Sequence, residues 1–577
     1  MFSGTVFEFD PAVPPSPERE PAVVWSAPQS MFIDEVTAQW VRSQNVADLA
    51  RISGPWAAVL WQPSTGRYVI AHDPVGVHPV FWARTAGGRI AVSSWVAALV
   101  DRDDVSDAPD YEGVLLGELH ICIPEVQHHS YFAAVSRVPW GHAVSFTSTG
   151  DPIPAVMWDP REVGDVDSSL TLADCAEMLR TDIDVAVRRL VTPGVRTGAH
   201  VSGGLDCSTM ACRVNQLLGE SGESLVEGYS WAPDERVTPR FPGDERAIVE
   251  DVSRAENFPI SYLYPDETGD WFATRDHLRY PNTTHAREAF VLPRAAEKGI
   301  RVMFSGWGGD ELASFNGRNV IKWMLHTGRF RSAWRELGYR NEVLQEEHMP
   351  FGQHARAMLG ALWDSAPDSV RSLRNRESAR EKRDRESKHH ADLRAFSPSV
   401  AEIVETKETR LARVRTPRDM RMYLMMNGHM QQRTTYWHQT GALFDINYRY
   451  PLLDVDVVTT ALRLPWWAFK NHGWTRIAYR LAVEPWVPAS LVWNPLKVEP
   501  ALIAPPVTNP VERLLPEPDV APLTDERLVQ IFDLARTRRE PRRDRTADAA
   551  ASPKAKGVLF RPDRAPLREL SGHRVEG

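Results

Sequence analysis

The chain has 577 residues, 43% of them hydrophobic and 25% charged, with a formal net charge of -9. That length exceeds one ordinary core and corresponds to roughly three or four domain-sized units. The acidic balance excludes a basic footprint for nucleic acid, and no apolar run is long enough to read as a bilayer-spanning helix.

In chain order, the first 160 or so residues read as strands and turns. WAAVLWQPSTGRYVIAHD has two apolar runs about a Pro-Ser-Thr-Gly turn, and VFWARTAGGRIAVSS repeats the pattern about Gly-Gly. From SLTLADCAEMLRTDIDVAVRRLV the period becomes that of an amphipathic helix, with Leu172, Cys175, Ala176, Leu179, Ile183, Ala186, Val187 and Leu190 on one face. Strand GAHV, helix STMACRVNQLL, strand LVEGYSWA, helix DERAIVEDVSRA and strand IRVMFSGWG follow. That alternation predicts a parallel sheet with ligands at the carboxyl ends of its strands. The polar stretch 374–394 reads as a solvated helix or mobile loop, and the last seventy or so residues as a loosely ordered tail. The expected division is 1–165, 166–505 and a partly disordered extension, 506–577.

Cys122, Cys175, Cys207 and Cys212 have no metal-ligand spacing and read as reduced thiols. The N-terminus lacks a basic segment followed by an apolar one, so a cytoplasmic protein with no membrane partner is expected.

Two glycine-rich turns carry the chemistry. Ser202, Gly203, Gly204, Leu205, Asp206 and Ser208 follow the first strand of the alternating region; Ser305, Gly306, Gly308, Gly309, Asp310 and Glu311 follow a later one. Gly-rich turns opening a helix present backbone N–H groups and a positive helix end to phosphate. Asp206 would repel that guest unless a metal ion stood between them, so Asp206 and Asp310 are expected to flank Mg2+ bound to a nucleotide. Either turn alone is as readily a tight connection. No GxxxxGK[ST] occurs, which excludes a Walker-type loop.

SGGLDCS, then SGWGGDE, NYRYPLLD at 447–454 and the lysine of NPLKVEP together resemble the asparagine synthetase family. HDPVGVHPVFW, RVPWGHAV and MWDP are similar to that family's amino-terminal glutamine-hydrolysing domain. The resemblance implies an α+β β-sandwich domain of the glutamine-hydrolase kind, followed by an α/β adenylating domain with a parallel sheet and a pyrophosphate loop. It implies ATP and Mg2+, a nucleotide site of Ser202, Gly203, Gly204, Leu205, Asp206, Ser208, Ser230, Ser305 and Gly306, and catalytic roles for Asp206, Asp310 and Lys497. Without the resemblance, Lys497 is a surface lysine beside two prolines. Glu311 is assigned either to the metal or to a helix start, and Asp244 and Glu245 to a helix start outside the site.

Glutamine-hydrolysing members of that family use an amino-terminal cysteine as nucleophile. Here residue 2 is Phe2, and the first cysteine is Cys122. The amino-terminal domain is therefore read as degenerate, and the activated carboxyl group must meet an amine other than glutamine-derived ammonia. The block 288–320 and NGHMQQR look most like the lasso peptide cyclases of the family. Those enzymes adenylate an Asp or Glu side chain of a precursor peptide, which its own α-amine then attacks. The resemblance implies the core peptide, a leader peptidase and a leader-recognition protein as partners, and no nucleic acid. A small-molecule amide or lactam synthetase, and a non-catalytic precursor-binding scaffold, are the alternatives. Asn447 stands where asparagine synthetases have a proton-handling glutamate, with Asp445 as a possible substitute.

Overall fold

The computed structural model describes residues 6–15, 20–27, 30–233, 244–263, 291–345, 351–365, 376–495 and 525–538. Nine amino-terminal strands form two antiparallel sheets, of order β1-β6-β5-β7 and β2-β3-β4-β8-β9. The first comprises β1 (Phe7–Phe9), β5 (Phe81–Arg84), β6 (Ile90–Ser93) and β7 (Val135–Arg137); the second comprises β2 (Ala22–Ser26), β3 (Ala57–Gln62), β4 (Arg67–His72), β8 (His142–Phe146) and β9 (Pro152–Val156). β3 explains why this becomes a sandwich. Its alternate residues Ala57, Val59 and Trp61 pack with Phe9 and Phe146, while Ala58 and Leu60 pack with Trp40 and Trp56 on the opposite face. A strand with period-two side chains and apolar residues at every position can stabilise two cores at once. Helix α1 (Tyr111–Glu118) lies beside β7 in the cluster that holds Val114, Leu115 and Val135.

The alternating region forms a five-stranded parallel sheet of order β12-β11-β10-β13-β14. Its strands are β10 (Thr197–His200), β11 (Glu227–Pro233), β12 (Ile260–Leu263), β13 (Val302–Phe304) and β14 (Asn447–Arg449). Helix α2 (Leu172–Leu190) starts at a capping box in which Thr171 and Asp174 satisfy each other's backbone N–H. Its buried face is the eight apolar residues that the helical period selects. Helix α3 (Leu205–Gly219) follows β10, and α4 (Arg246–Glu256) follows β11. Because β11 and β12 lie on one side of β10 while β13 and β14 lie on the other, the order in which strands are added reverses between β10 and β13. A crevice opens at the carboxyl ends of strands at such a point.

The polar stretch 374–394 falls largely in helix α5 (Arg376–Phe396), anchored by the buried Leu393. Helix α6 (His429–Ala442) runs between the sandwich and the parallel sheet, and α7 (Ile477–Val483) follows at the edge of the crevice. Within the segment read from composition as a loose tail, α8 (Glu526–Arg538) is a helix. Its Leu528, Ile531 and Leu534 are buried against the α1 cluster, and the Tyr111 hydroxyl donates to Asp525 at 2.7 Å. Charge density around those three residues hides their helical spacing. Among the described residues, no helix is long and apolar enough to cross a membrane.

Candidate active site

Both acidic glycine turns lie in the crevice between β10 and β13, because each directly follows the carboxyl end of one of those strands. The first is held by its own side chains. Gly204 N–H donates to Ser202 Oγ at 3.2 Å, Ser202 N–H donates to Ser208 Oγ at 3.2 Å, and the Ser208 hydroxyl donates to the Ser202 carbonyl. Gly204 is the N-cap of α3 and has no side chain to fill that role, so the positive helix end faces the crevice. Gly203 N–H donates to Glu245 Oε2 at 3.0 Å. Glu245, assigned from sequence to a helix start alone, therefore reaches into the loop as well as opening α4.

The second turn closes onto the first with no space for side chains. A Cβ at Gly306 would lie 2.3 Å from the Asp206 carbonyl carbon, and one at Gly309 would lie 2.7 Å from Asp206 Cγ. Gly308 has φ 91°, a left-handed conformation that L-residues with a side chain rarely adopt. Ser305 is buried, its N–H bonded to the Arg449 carbonyl at 3.0 Å and its Oγ accepting from Trp307 N–H at 3.2 Å.

Asp206 is thereby crowded against Asp310. Burial first and the Asp310 charge second push its pKa up to about 7, against a downward pull from Arg476. Arg476 itself ion-pairs with Asp310 and sits at φ 61° before α7. Asp206 Oδ1 is shielded from solvent without a hydrogen-bond partner, as is Glu311 Oε2, while Glu311 Oε1 meets His429 Nε2 at 3.0 Å. These hard oxygen donors fit Mg2+. Among the described residues no group of three or more ligand side chains would hold a metal unaided. Mg2+ takes one or two carboxylates plus phosphate oxygens and water.

Ser230 is buried midway along β11, one residue past the pairing of Tyr229 with the last residue of β10, and its Oγ accepts from Ala232 N–H at 3.3 Å. Beside it the crevice wall is aromatic. The Arg433 guanidinium stands 3.9 Å from the Trp307 ring, 4.7 Å from Trp437 and 5.7 Å from Trp231, and burial pushes its pKa down to about 10. Tyr448 and Tyr450 stack on Trp437. Cys207 follows Asp206, but burial pushes its thiol up to about 11, so it is no thiolate nucleophile at neutral pH.

The structure thus brings together Ser202, Gly203, Gly204, Leu205, Asp206, Ser208, Ser305, Gly306 and Asp310, with Ser230 midway along the strand beside β10. Lys497 lies outside the described residues. Asn447 pairs with Val302 at the amino end of β14, about 10 Å along the strands from Ser305. Asp445, at φ 60° just before it, is on the same side and away from the two loops. Sequence reasoning missed Arg476, Glu245 and the Arg433 wall. Only Arg433 left a trace, in NGHMQQR.

Two family models match the chain. One, described as asparagine synthase, covers residues 178–555, and the other, a glutamine amidotransferase domain, covers 34–154. The chain belongs to the asparagine synthase family. Relatives in Mycobacterium bovis and Mycobacterium tuberculosis carry the provisional name asparagine synthetase (glutamine-hydrolyzing). Each is 24% identical over 477 residues, which is 78% of this chain and 67% of the relative. An asparagine synthase family fold therefore follows a glutamine amidotransferase-like domain. Family membership implies an ATP-dependent amide ligase.

Proposed function

We propose that this protein is a lasso peptide cyclase: an AMP-forming macrolactam synthetase that joins an Asp or Glu side chain of a leader-free precursor peptide to the peptide's α-amine. The observation that carries the choice of amine is the missing glutaminase nucleophile. No cysteine precedes Cys122, and burial holds that thiol protonated by raising its pKa. The resemblance of 288–320 and NGHMQQR to the cyclases supports the peptide substrate. The core peptide, a leader peptidase and a leader-recognition protein are its proposed partners.

In the first step a substrate carboxylate oxygen attacks the α-phosphorus of ATP, the bond to the β-phosphate oxygen breaks, and pyrophosphate leaves. Gly203 and Gly204 N–H groups and the Ser202 and Ser208 hydroxyls orient the phosphates. To do so Gly203 must part from Glu245, Gly204 from Ser202 Oγ, and the Ser208 hydroxyl from the Ser202 carbonyl. Asp206 and Asp310 would hold Mg2+, which supplies charge neutralisation at the phosphates when bound. In the second step the peptide amine adds to the acyl carbon, AMP leaves, and the nitrogen gives up a proton. An α-amine of pKa about 7.7–8.0 is partly neutral near pH 7, which reduces the need for a base. Lys497 is assigned to the oxyanion of that step by the family resemblance.

The name that the mycobacterial relatives carry favours a second reading, an amide ligase acting on a small molecule such as an amino acid. Mass spectrometry separates the two. The precursor core, incubated with protein, ATP and Mg2+, should lose one water as AMP appears, and Asp206→Ala should abolish both. AMP without peptide dehydration would sink the cyclase reading.

A further inference from the structure

Between the sandwich and α6 lies a cavity of about 60 Å3, walled by Phe81, Val96, Leu116 and Ile121 and lined by Arg137 of β7. Arg137 also lines a smaller space of about 10 Å3 beside His72 and Trp140. Its Nε is shielded from solvent and has no hydrogen-bond partner. Among the described residues no carboxylate pairs with this guanidinium; its electrostatic neighbours are Cys122 and Tyr131. Burial pushes the pKa of both neighbours up, so both are neutral at physiological pH and neither balances its charge. Arg137 is half-buried, and a guanidinium whose Nε is shielded and unpaired beside an apolar cavity is costly to keep.

We infer that this cavity is a binding site for a small monocarboxylate, with its two oxygens on the Arg137 fork and its short apolar tail against Val96, Leu116 and Ile121. The planar fork matches a carboxylate's two oxygens. One positive charge balances one negative charge, whereas a dianionic phosphate would leave an excess charge among apolar walls. The volume admits a ligand of a few non-hydrogen atoms. The far wall is α6, through Gln432, Thr435, Tyr436 and Gln439. Arg433 and Trp437 of that same helix line the adenylation crevice, so an occupant would bear on the crevice through one rigid element.

Saturation-transfer NMR on the full chain, with propionate as probe and chloride as the constant background salt, tests this without any turnover. The expected result is transfer to the propionate methyl in the wild type, at least tenfold weaker binding in Arg137→Gln, and partial retention in Arg137→Lys. Absence of transfer in the wild type overturns the inference, whether or not the variants fold. So does unchanged propionate affinity in Arg137→Gln, or displacement of propionate by phosphate at lower concentration than by acetate. ATP–pyrophosphate exchange is measured separately, so failure here leaves the ligase reading untouched.

Discussion

Gly309 lies directly against Asp206, so close that a Cβ at 309 would sit 2.7 Å from Asp206 Cγ and 2.8 Å from Leu452 Cδ1. The acid of one turn is positioned by the absence of a side chain in the other. Gly309→Ala must therefore displace Asp206 or Leu452. The expected result is a fall of roughly a hundredfold in ATP–pyrophosphate exchange, the scale of a 1 Å misplacement. The accompanying loss of stability should be about 1–3 kcal/mol. Exchange kinetics and urea unfolding read the two effects; near-wild-type exchange would mean that the turns do not act together.

A second prediction concerns the helix under the sheet. Leu179 is fully buried on α2, whereas Val185 of the same helix is 43% exposed. Leu179→Ala should cost about 2–5 kcal/mol. Val185→Ala should change stability by no more than about 0.5 kcal/mol. Equal effects in urea titrations would contradict the orientation of the helix.

That helix face was legible because apolar residues at 3.6-residue spacing leave one geometric solution. The two turns were legible only as a pair, because a single glycine-rich turn after a strand is as readily a tight connection. Arg476 was not legible. It meets Asp310 across 166 positions of sequence, and only the folded topology brings them together. Glu245 does open a helix, but its reach into the first turn was not legible for a related reason. A carboxylate at a helix start is fully explained by the helix dipole, so its second partner, Gly203, 42 positions earlier, adds no local sign. Helix α8 was obscured by composition, since three core residues among many charges look like a solvated tail.

The charge cluster also predicts pH behaviour. Asp206 has a folded-state pKa of about 7, above the value of about 3.9 expected when unfolded. The stability contributed by this group is therefore fully present below about pH 4 and lost as pH rises through about 7. The nucleotide-free protein should fall in Tm between pH 5 and pH 8, and Asp206→Asn should flatten that slope. Asp310→Asn removes a raising charge and should move the Asp206 midpoint down, while Arg476→Gln removes a lowering charge and should move it up. Carboxyl-carbon NMR titrations of the three proteins measure the order of these midpoints. A wild-type midpoint near 4 would refute the crowding of the two acids.

The hydrogen bond from Gly203 to Glu245 leads to the last prediction. In the free protein a carboxylate occupies a loop N–H that the ligase reading assigns to phosphate. Glu245 and nucleotide then compete for one donor, and the carboxylate also repels the incoming charge. Glu245→Gln keeps an acceptor for Gly203 but removes the charge. It should bind ATP more tightly by about 1 kcal/mol, roughly fivefold, in calorimetric titrations. Glu245→Ala leaves the buried Gly203 N–H unpaired and should cost about 1–3 kcal/mol of stability in the absence of nucleotide. Added ATP should restore much of that loss, because a phosphate oxygen then supplies the missing acceptor. Weaker ATP binding by Glu245→Gln would instead make Glu245 a support that the loop needs while nucleotide is bound, and the competition would be ruled out.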